Sequence, residues 1–230
     1  SRHKSARDSR IRTMLEIEAF LDIHQRWQAV GYPFDHLVPS LATAIGSSGD
    51  RPAALAELVG IILNDGVRQP TVRIDSLHFA AGTPYDTRLV NNPDKGKRVM
   101  PSEVASALRS ALSQVVDDGT AKRVAGSFKL ADGTPLVMGG KTGTGDNRIE
   151  AIGAGGRLLS SKSINRTATF VFYIGEQHFG TLTAFVPGSS AQQFTFTSAL
   201  PVQVLKGMAP WLTPYLQPGG QTLCQVSTTQ

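Results

Sequence analysis

The chain reads as an α/β protein of the α+β kind: one antiparallel sheet carrying helices on its faces. Three observations predict this. Stretches with helical apolar period occupy the first half and return at the end. A strand and a two-stranded hairpin stand between them. The hairpin follows that strand directly in sequence, which suits neighbouring antiparallel strands with helices packed over them.

Residues 11–30 predict the first helix. Met14, Leu15, Ile17, Leu21 and the region of Trp27 form an apolar stripe near the 3.6 period, and Gly31-Tyr32-Pro33 ends it. Residues 39–46 form a short apolar bridge. Pro52 suits a first helical position, and residues 53–63 continue to a stop at Asn64-Asp65-Gly66. Residues 71–79 alternate apolar and polar as a strand does. Residues 82–97 are polar, contain Pro84, Pro93 and Gly96, and read as a loop.

Ser102, after Pro101, is expected to cap a helix over residues 103–116, with Val104, Leu108, Ala111, Leu112 and Val115 on one face. Residues 117–120 close it. A turn at residues 131–134 leads into a strand that runs to Lys141. Residues 167–174 and 181–186 predict a hairpin joined by residues 175–180. Residues 193–212 predict a final helix, broken around Pro201 and Pro210. Residues 1–212 are taken as one unit and residues 213–230 as a polar tail.

Composition excludes several classes. The net charge of +5 is modest, and the basic residues cluster only at residues 2–12 and 95–98. Neither cluster is interleaved with the aromatics a nucleic-acid surface needs, so no nucleic-acid partner is expected. No run reaches membrane-spanning length, and no signal peptide is visible. A start at Ser1-Arg2-His3-Lys4 without Met reads as a piece of a longer protein. The single cysteine, Cys224, permits no internal disulfide, and the five histidines lack metal-ligand spacing. Neither metal nor cofactor is expected.

The densest chemical signal is Gly140-Lys141-Thr142-Gly143-Thr144, after the apolar run Pro135-Leu136-Val137-Met138. It is not a phosphate-binding loop, because Leu136 stands where that loop needs its first glycine and Gly143 and Gly145 oppose a helix start. A Lys-Thr-Gly at a strand end is one of three signatures of penicillin-recognising serine acyl-transferases. The Pro39–Ser47 stretch ending in Gly-Ser, the helix ending in Leu63-Asn64-Asp65-Gly66, and Val115-Val116-Asp117-Asp118-Gly119-Thr120 precede it in the family's order. Over residues 39–212 the chain therefore resembles the C-terminal part of a penicillin-binding protein transpeptidase domain, of the penicillin-binding protein/β-lactamase-like fold, incomplete in this chain.

That resemblance implies a D-alanyl-D-alanine transpeptidase that cross-links peptidoglycan through an acyl-serine and is trapped by β-lactams. Lys141 is the implied catalytic cation. Thr142, Gly143 and Thr144 are the implied substrate-binding residues, with the threonine hydroxyls on the substrate carboxylate and the Thr144 N–H in the oxyanion hole. The substrate backbone is expected along an open edge of the motif strand, kept clear by Gly139, Gly140, Gly143 and Gly145. The hairpin should pair on the strand's other side. The second family motif, Ser-x-Asn, is expected near Ser5, Asp8 and Ser9, none of which completes it. Ser1-Arg2-His3-Lys4 fits the letters of the nucleophile motif but stands where the second motif belongs and lacks an apolar helix. The nucleophile is expected outside this chain.

The implied partners are the peptidoglycan stem peptide, β-lactams and the missing N-terminal part of the same protein, with a membrane reached only through absent segments. The implied location is the periplasmic or extracytoplasmic face of the bacterial inner membrane. Two alternatives share the residues: a hydrolase of the β-lactamase or D,D-carboxypeptidase kind, and an inactive domain that binds muropeptide or a partner.

Overall fold

A computed structural model describes residues 2–46, 48–92 and 94–217. Ser1, Ser47, Pro93, Cys224 and the tail from residue 218 lie outside the described residues.

Helix α1 spans Arg2–Ala29 and begins well before the predicted residue 11. The arginine-rich start carries no apolar signal, yet it holds no helix breaker either, so the helix propagates through it. Its C-terminal part folds onto the following turn, where Phe20, Tyr32 and Leu37 form a small cluster with Ile23. Its other apolar residues stay in solvent: Met14 is 68% and Leu15 61% exposed. The bridge after it is a 3₁₀ helix, Leu41–Ile45, whose first turn is capped by the Ser40 hydroxyl accepting from the Ala42 N–H.

Helix α2, Pro52–Leu63, matches its prediction, with proline in the first turn. Gly66, at φ +85°, turns the chain at its end and donates its N–H to the Ile61 carbonyl. Two short ladders follow. Strand β1 (Val67–Arg68) pairs with β4 (Lys97–Arg98), and β2 (Ser76–Phe79) pairs with β3 (Thr87–Val90). This corrects two expectations. Only the last part of residues 71–79 is strand, and the loop at 82–97 holds a hairpin arm. The hairpin's turn is tied by His78 Nε2 to Asp86 Oδ1 (2.8 Å) and by the Gly82 N–H donating to Asp86 Oδ2 (3.1 Å). Both its faces are exposed, so no apolar alternation marks it in sequence.

Helix α3, Ser102–Asp117, starts one residue earlier than predicted. Pro101 holds the cap position and Ser102 is the first helical residue, without a side-chain cap bond. A 3₁₀ turn, Lys122–Val124, follows. The sheet then runs β5 (Met138–Ile152), β6 (Leu158–Ile174) and β7 (His178–Pro187), all antiparallel, in the order β5-β6-β7. A 3₁₀ helix, Ser189–Gln193, leads to α4, Ala199–Leu212, which starts later than predicted. Pro201 sits in its first turn, where proline is tolerated, and Pro210 lies within it. A further 3₁₀ turn, Thr213–Tyr215, extends order past Leu212 into the expected tail.

The pleat sends alternate residues of the sheet to opposite faces. Met138, Phe170 and Ile174 pack with Val202, Leu205 and Ala209 of α4, and with Val124 and Phe128. On the other face Val171 and Tyr173 pack with Val59 and Leu63 of α2 and Leu112 of α3. Tyr173 is 1% exposed, its hydroxyl donates to the Arg109 carbonyl, and Arg109 pairs with Glu176 beside the β6–β7 turn. Helices on both faces of one antiparallel sheet are the predicted architecture. No described helix is long and apolar enough to cross a membrane.

Candidate functional site

Lys141, Thr142, Gly143 and Thr144 stand opposite Val171, Phe170, Thr169 and Ala168 of β6. β5 is an outer strand, and no described strand pairs with its other side. The Gly175 N–H donates to the Val137 carbonyl at 2.7 Å, which fixes the bonding phase of the ladder. In an antiparallel pair the bonded positions alternate. Residues 139, 141, 143 and 145 thus bond to β6. The N–H and C=O of Gly140, Thr142, Thr144 and Asp146 point away from β6; Gly140 and Thr142 are buried, and Thr144 and Asp146 stand at the open part of the edge.

The side chains divide differently. Lys141 lies on the face of α2 and α3, is exposed, and its Nζ donates back to the Thr142 carbonyl at 2.7 Å. Thr142 and Thr144 lie on the α4 face. Thr142 is 9% exposed, and its hydroxyl shares a 2.6 Å hydrogen bond with the Thr120 hydroxyl. Thr144 Oγ1 accepts from the Ser198 N–H at 2.9 Å. The edge therefore presents an ammonium from one face, two hydroxyls from the other, and between them backbone groups that no described strand pairs, the Thr142 carbonyl accepting from Lys141. Such an edge can take an extended peptide by strand addition and hold its carboxylate.

Thr120 and Ser198 are site neighbours that the sequence did not single out. Thr120 lay in plain sight as the last residue of the Gly-Thr landmark. Gly119 packs so closely under α3 that a Cβ there would come within 2.8 Å of the Val115 backbone. That close turn carries Thr120 to Thr142. Nothing local marks Ser198.

The four glycines do not share one task. A Cβ on Gly139 would meet the Tyr173 ring at 2.3 Å, one on Gly140 the Val171 carbonyl at 2.3 Å, and one on Gly145 the Thr167 hydroxyl at 2.5 Å. These three let β5 seat against β6 and its core. Only Gly143 has nothing within 4 Å of where a Cβ would stand, so it alone keeps the open surface clear.

Ser5, Asp8 and Ser9 lie on the first turns of α1 and are exposed. Together with Lys4 and Arg12 they border a hollow of about 550 Å³ on one helix surface. Helix α1 builds no packed interface with β5, so the structure does not bring these residues to Lys141. A cavity of about 950 Å³ lies between α2, residues 69–73 and Phe179, and includes no residue of β5. Among the described residues no group of His, Cys, Asp and Glu could hold a metal ion.

Comparison with known proteins is specific. The family model of the penicillin binding protein transpeptidase domain matches residues 22–151. Penicillin-binding protein 1B of Escherichia coli (strain K12) is 26% identical over 133 residues, 58% of this chain and 15% of that protein. The fold matches penicillin-binding protein 1A of Haemophilus influenzae with a TM-score of 0.58 at 20% identity, covering 92% of this chain and 34% of that one. It also matches penicillin-binding protein 3 of Mycobacterium tuberculosis, solved with aztreonam, with a TM-score of 0.53 at 20% identity, covering 86% of this chain and 46% of that one. The chain spans less than half the length of each of these three relatives.

Proposed function

The chain belongs to the penicillin binding protein transpeptidase domain family, and from that premise we propose that it forms the substrate-strand part of a serine D-alanyl-D-alanine transpeptidase. One observation carries the reading: the Lys-Thr-Gly-Thr segment lies on an outer strand that no described strand pairs on its other side, with the exposed Thr144 at that edge. A stem peptide ending in D-Ala-D-Ala adds to this edge as an extended strand. Its terminal carboxylate is held by Lys141 with the Thr142 and Thr144 hydroxyls at the rim. The Thr144 N–H, aimed at the same edge, donates to the oxyanion that develops when a serine attacks the scissile carbonyl. D-Ala leaves, and an amine of a neighbouring peptide takes the acyl group from the serine. β-Lactams enter by the same route and stay as the acyl-enzyme.

The serine comes from a segment outside this chain. The sequence holds one Ser-x-x-Lys, at Ser1, and the described part of that stretch lies on α1 rather than beside β5. Action on peptidoglycan puts the site on the extracytoplasmic side of a bacterial inner membrane.

Labelled-penicillin capture by the protein carrying the nucleophile segment tests the reading. Lys141→Ala is expected to slow acylation about a hundred- to a thousandfold, by analogy with loss of one oxyanion donor. Acylation within a few fold of wild type would remove Lys141 from the mechanism.

A further inference from the structure

On the α4 face of β5, one step beyond Thr144, the structure has a cavity of about 270 Å³. Asp146, Arg148, Arg166, Gln192, Phe194 and Thr195 line it. Asp146 stands opposite Arg166 in the ladder, and Arg148 opposite Ser163. The segment between the Ser189–Gln193 helix and α4 closes it from above. That segment is fastened at both the motif and the cavity. The Ser198 N–H donates to Thr144 Oγ1 at 2.9 Å, and Arg166 Nε donates to the Phe196 carbonyl at 2.8 Å.

The charges in this cavity do not cancel. Asp146 is engaged by Arg148 at 3.1 Å, and Arg148 also donates to the Ser161 hydroxyl at 2.8 Å. Arg166 is half-buried and rests on the Phe196 ring at 5.5 Å, while its terminal nitrogens bond to no described residue. A partly desolvated guanidinium without a carboxylate partner, facing a cavity, calls for an acceptor-rich anion.

We propose that this cavity binds a second carboxylate of the peptide on the β5 edge, with Arg166 as its ion-pair partner. The proposal rests on the transpeptidase reading above for the peptide's course along β5. Geometry sets the spacing. Asp146 lies two residues past Thr144 on the same face, roughly 7 Å along a strand. An extended ligand whose terminal carboxylate sits near Thr144 thus carries a carboxylate-bearing side chain to the cavity about two residues away. The site selects acidic peptides over their amides, a planar guanidinium being suited to bidentate carboxylate recognition.

Two synthetic probes test this by calorimetric titration of the chain: N-acetyl-Glu-D-Ala-D-Ala, whose Glu stands two residues before the terminal one, and the same peptide with Gln in place of Glu. The Glu probe is expected to bind about tenfold tighter to wild type, as for one hydrogen-bonded charge pair. Arg166→Gln is expected to abolish the preference and Arg166→Lys to keep part of it. Lys141→Ala should weaken both probes alike. Equal binding of the two probes to wild type overturns the subsite, and that comparison needs no substitution that could misfold. A preference that survives Arg166→Gln overturns it as well. If the preference holds but Lys141→Ala changes neither affinity, the subsite stands and the transpeptidase reading falls. Failure of both probes to bind overturns both.

Discussion

Helix α1 and strand β5 are the two regions that the sequence marks most clearly, and the chain treats them in opposite ways. The stripe on α1 has the right period, yet Met14 and Leu15 lie in solvent, and only Phe20 and Ile23 find a cluster. Around the Met138–Thr142 end of β5 both faces of the sheet are covered: Phe170 is fully buried on one and Tyr173 nearly so on the other. What β5 leaves open is one line of backbone groups. The contrast teaches that periodicity reports which face of an element is apolar, not what covers it, whereas a run of glycines with one lysine reports a place where backbone must meet backbone.

The largest effect that could break the contrast is on stability. Phe170→Ala is expected to cost about 3–5 kcal/mol, as for a large aromatic lost from a packed core, while Leu15→Ala on α1 stays within about 0.5 kcal/mol. Urea denaturation of the two variants measures both. A Leu15→Ala cost comparable to that of Phe170→Ala would place α1 in the core. On function, Lys141→Ala removes about 3–4 kcal/mol of acylation barrier lowering. Ser5→Ala and Ser9→Ala on α1 leave acylation unchanged. Labelled-penicillin kinetics read both, and a large loss in either serine variant would bring the start of α1 into the site.

A sharper test lies within β5. Gly139→Ala drives a Cβ into the Tyr173 ring and should lower stability by about 1–3 kcal/mol. Gly143→Ala meets nothing and should leave the melting temperature near wild type while weakening peptide binding at the edge. Equal melting temperatures for the two variants would undo the distinction between seating and surface glycines. The smallest effect is electrostatic. The hydrogen bond from Arg109 holds the Glu176 carboxyl below its ordinary range. A depressed carboxyl contributes stability above its unfolded value, and that stability is lost as pH falls through the folded value. Glu176 is largely exposed, so the contribution is screened and small. Melting curves in acid should show a shallower pH dependence for Glu176→Gln, and an unchanged slope would remove the pair from the stability balance.

Elements that bury one face were legible. α2 and α3 followed from period and stop residues, and the core ends of β6 and β7 from an apolar run around Gly175. Elements exposed on both faces were not. β2 and β3 and the outer part of the β5–β6 ribbon, with Ile149 and Leu159 mostly in solvent, show no alternation because neither side is turned to a core. In the site, the identity of Lys141 to Thr144 was readable from chemistry. The division of the threonines from the lysine across the sheet follows from the pleat. The bonding phase that aims the Thr144 N–H outward depends on the contact between Gly175 and Val137, which no local pattern encodes. The separate tasks of Gly139 and Gly143 depend likewise on where Tyr173 lies.

The order β5-β6-β7 has a consequence for how the molecule assembles. Every pairing in this sheet joins neighbours in sequence, so each closes a short loop and costs little chain entropy. Low sequence separation between partners favours rapid pairing. The outer side of β5 is also a ready template for a stray strand of another chain. Lys141, Asp146, Arg148 and Glu150 spread charge along that strand, which discourages such pairing.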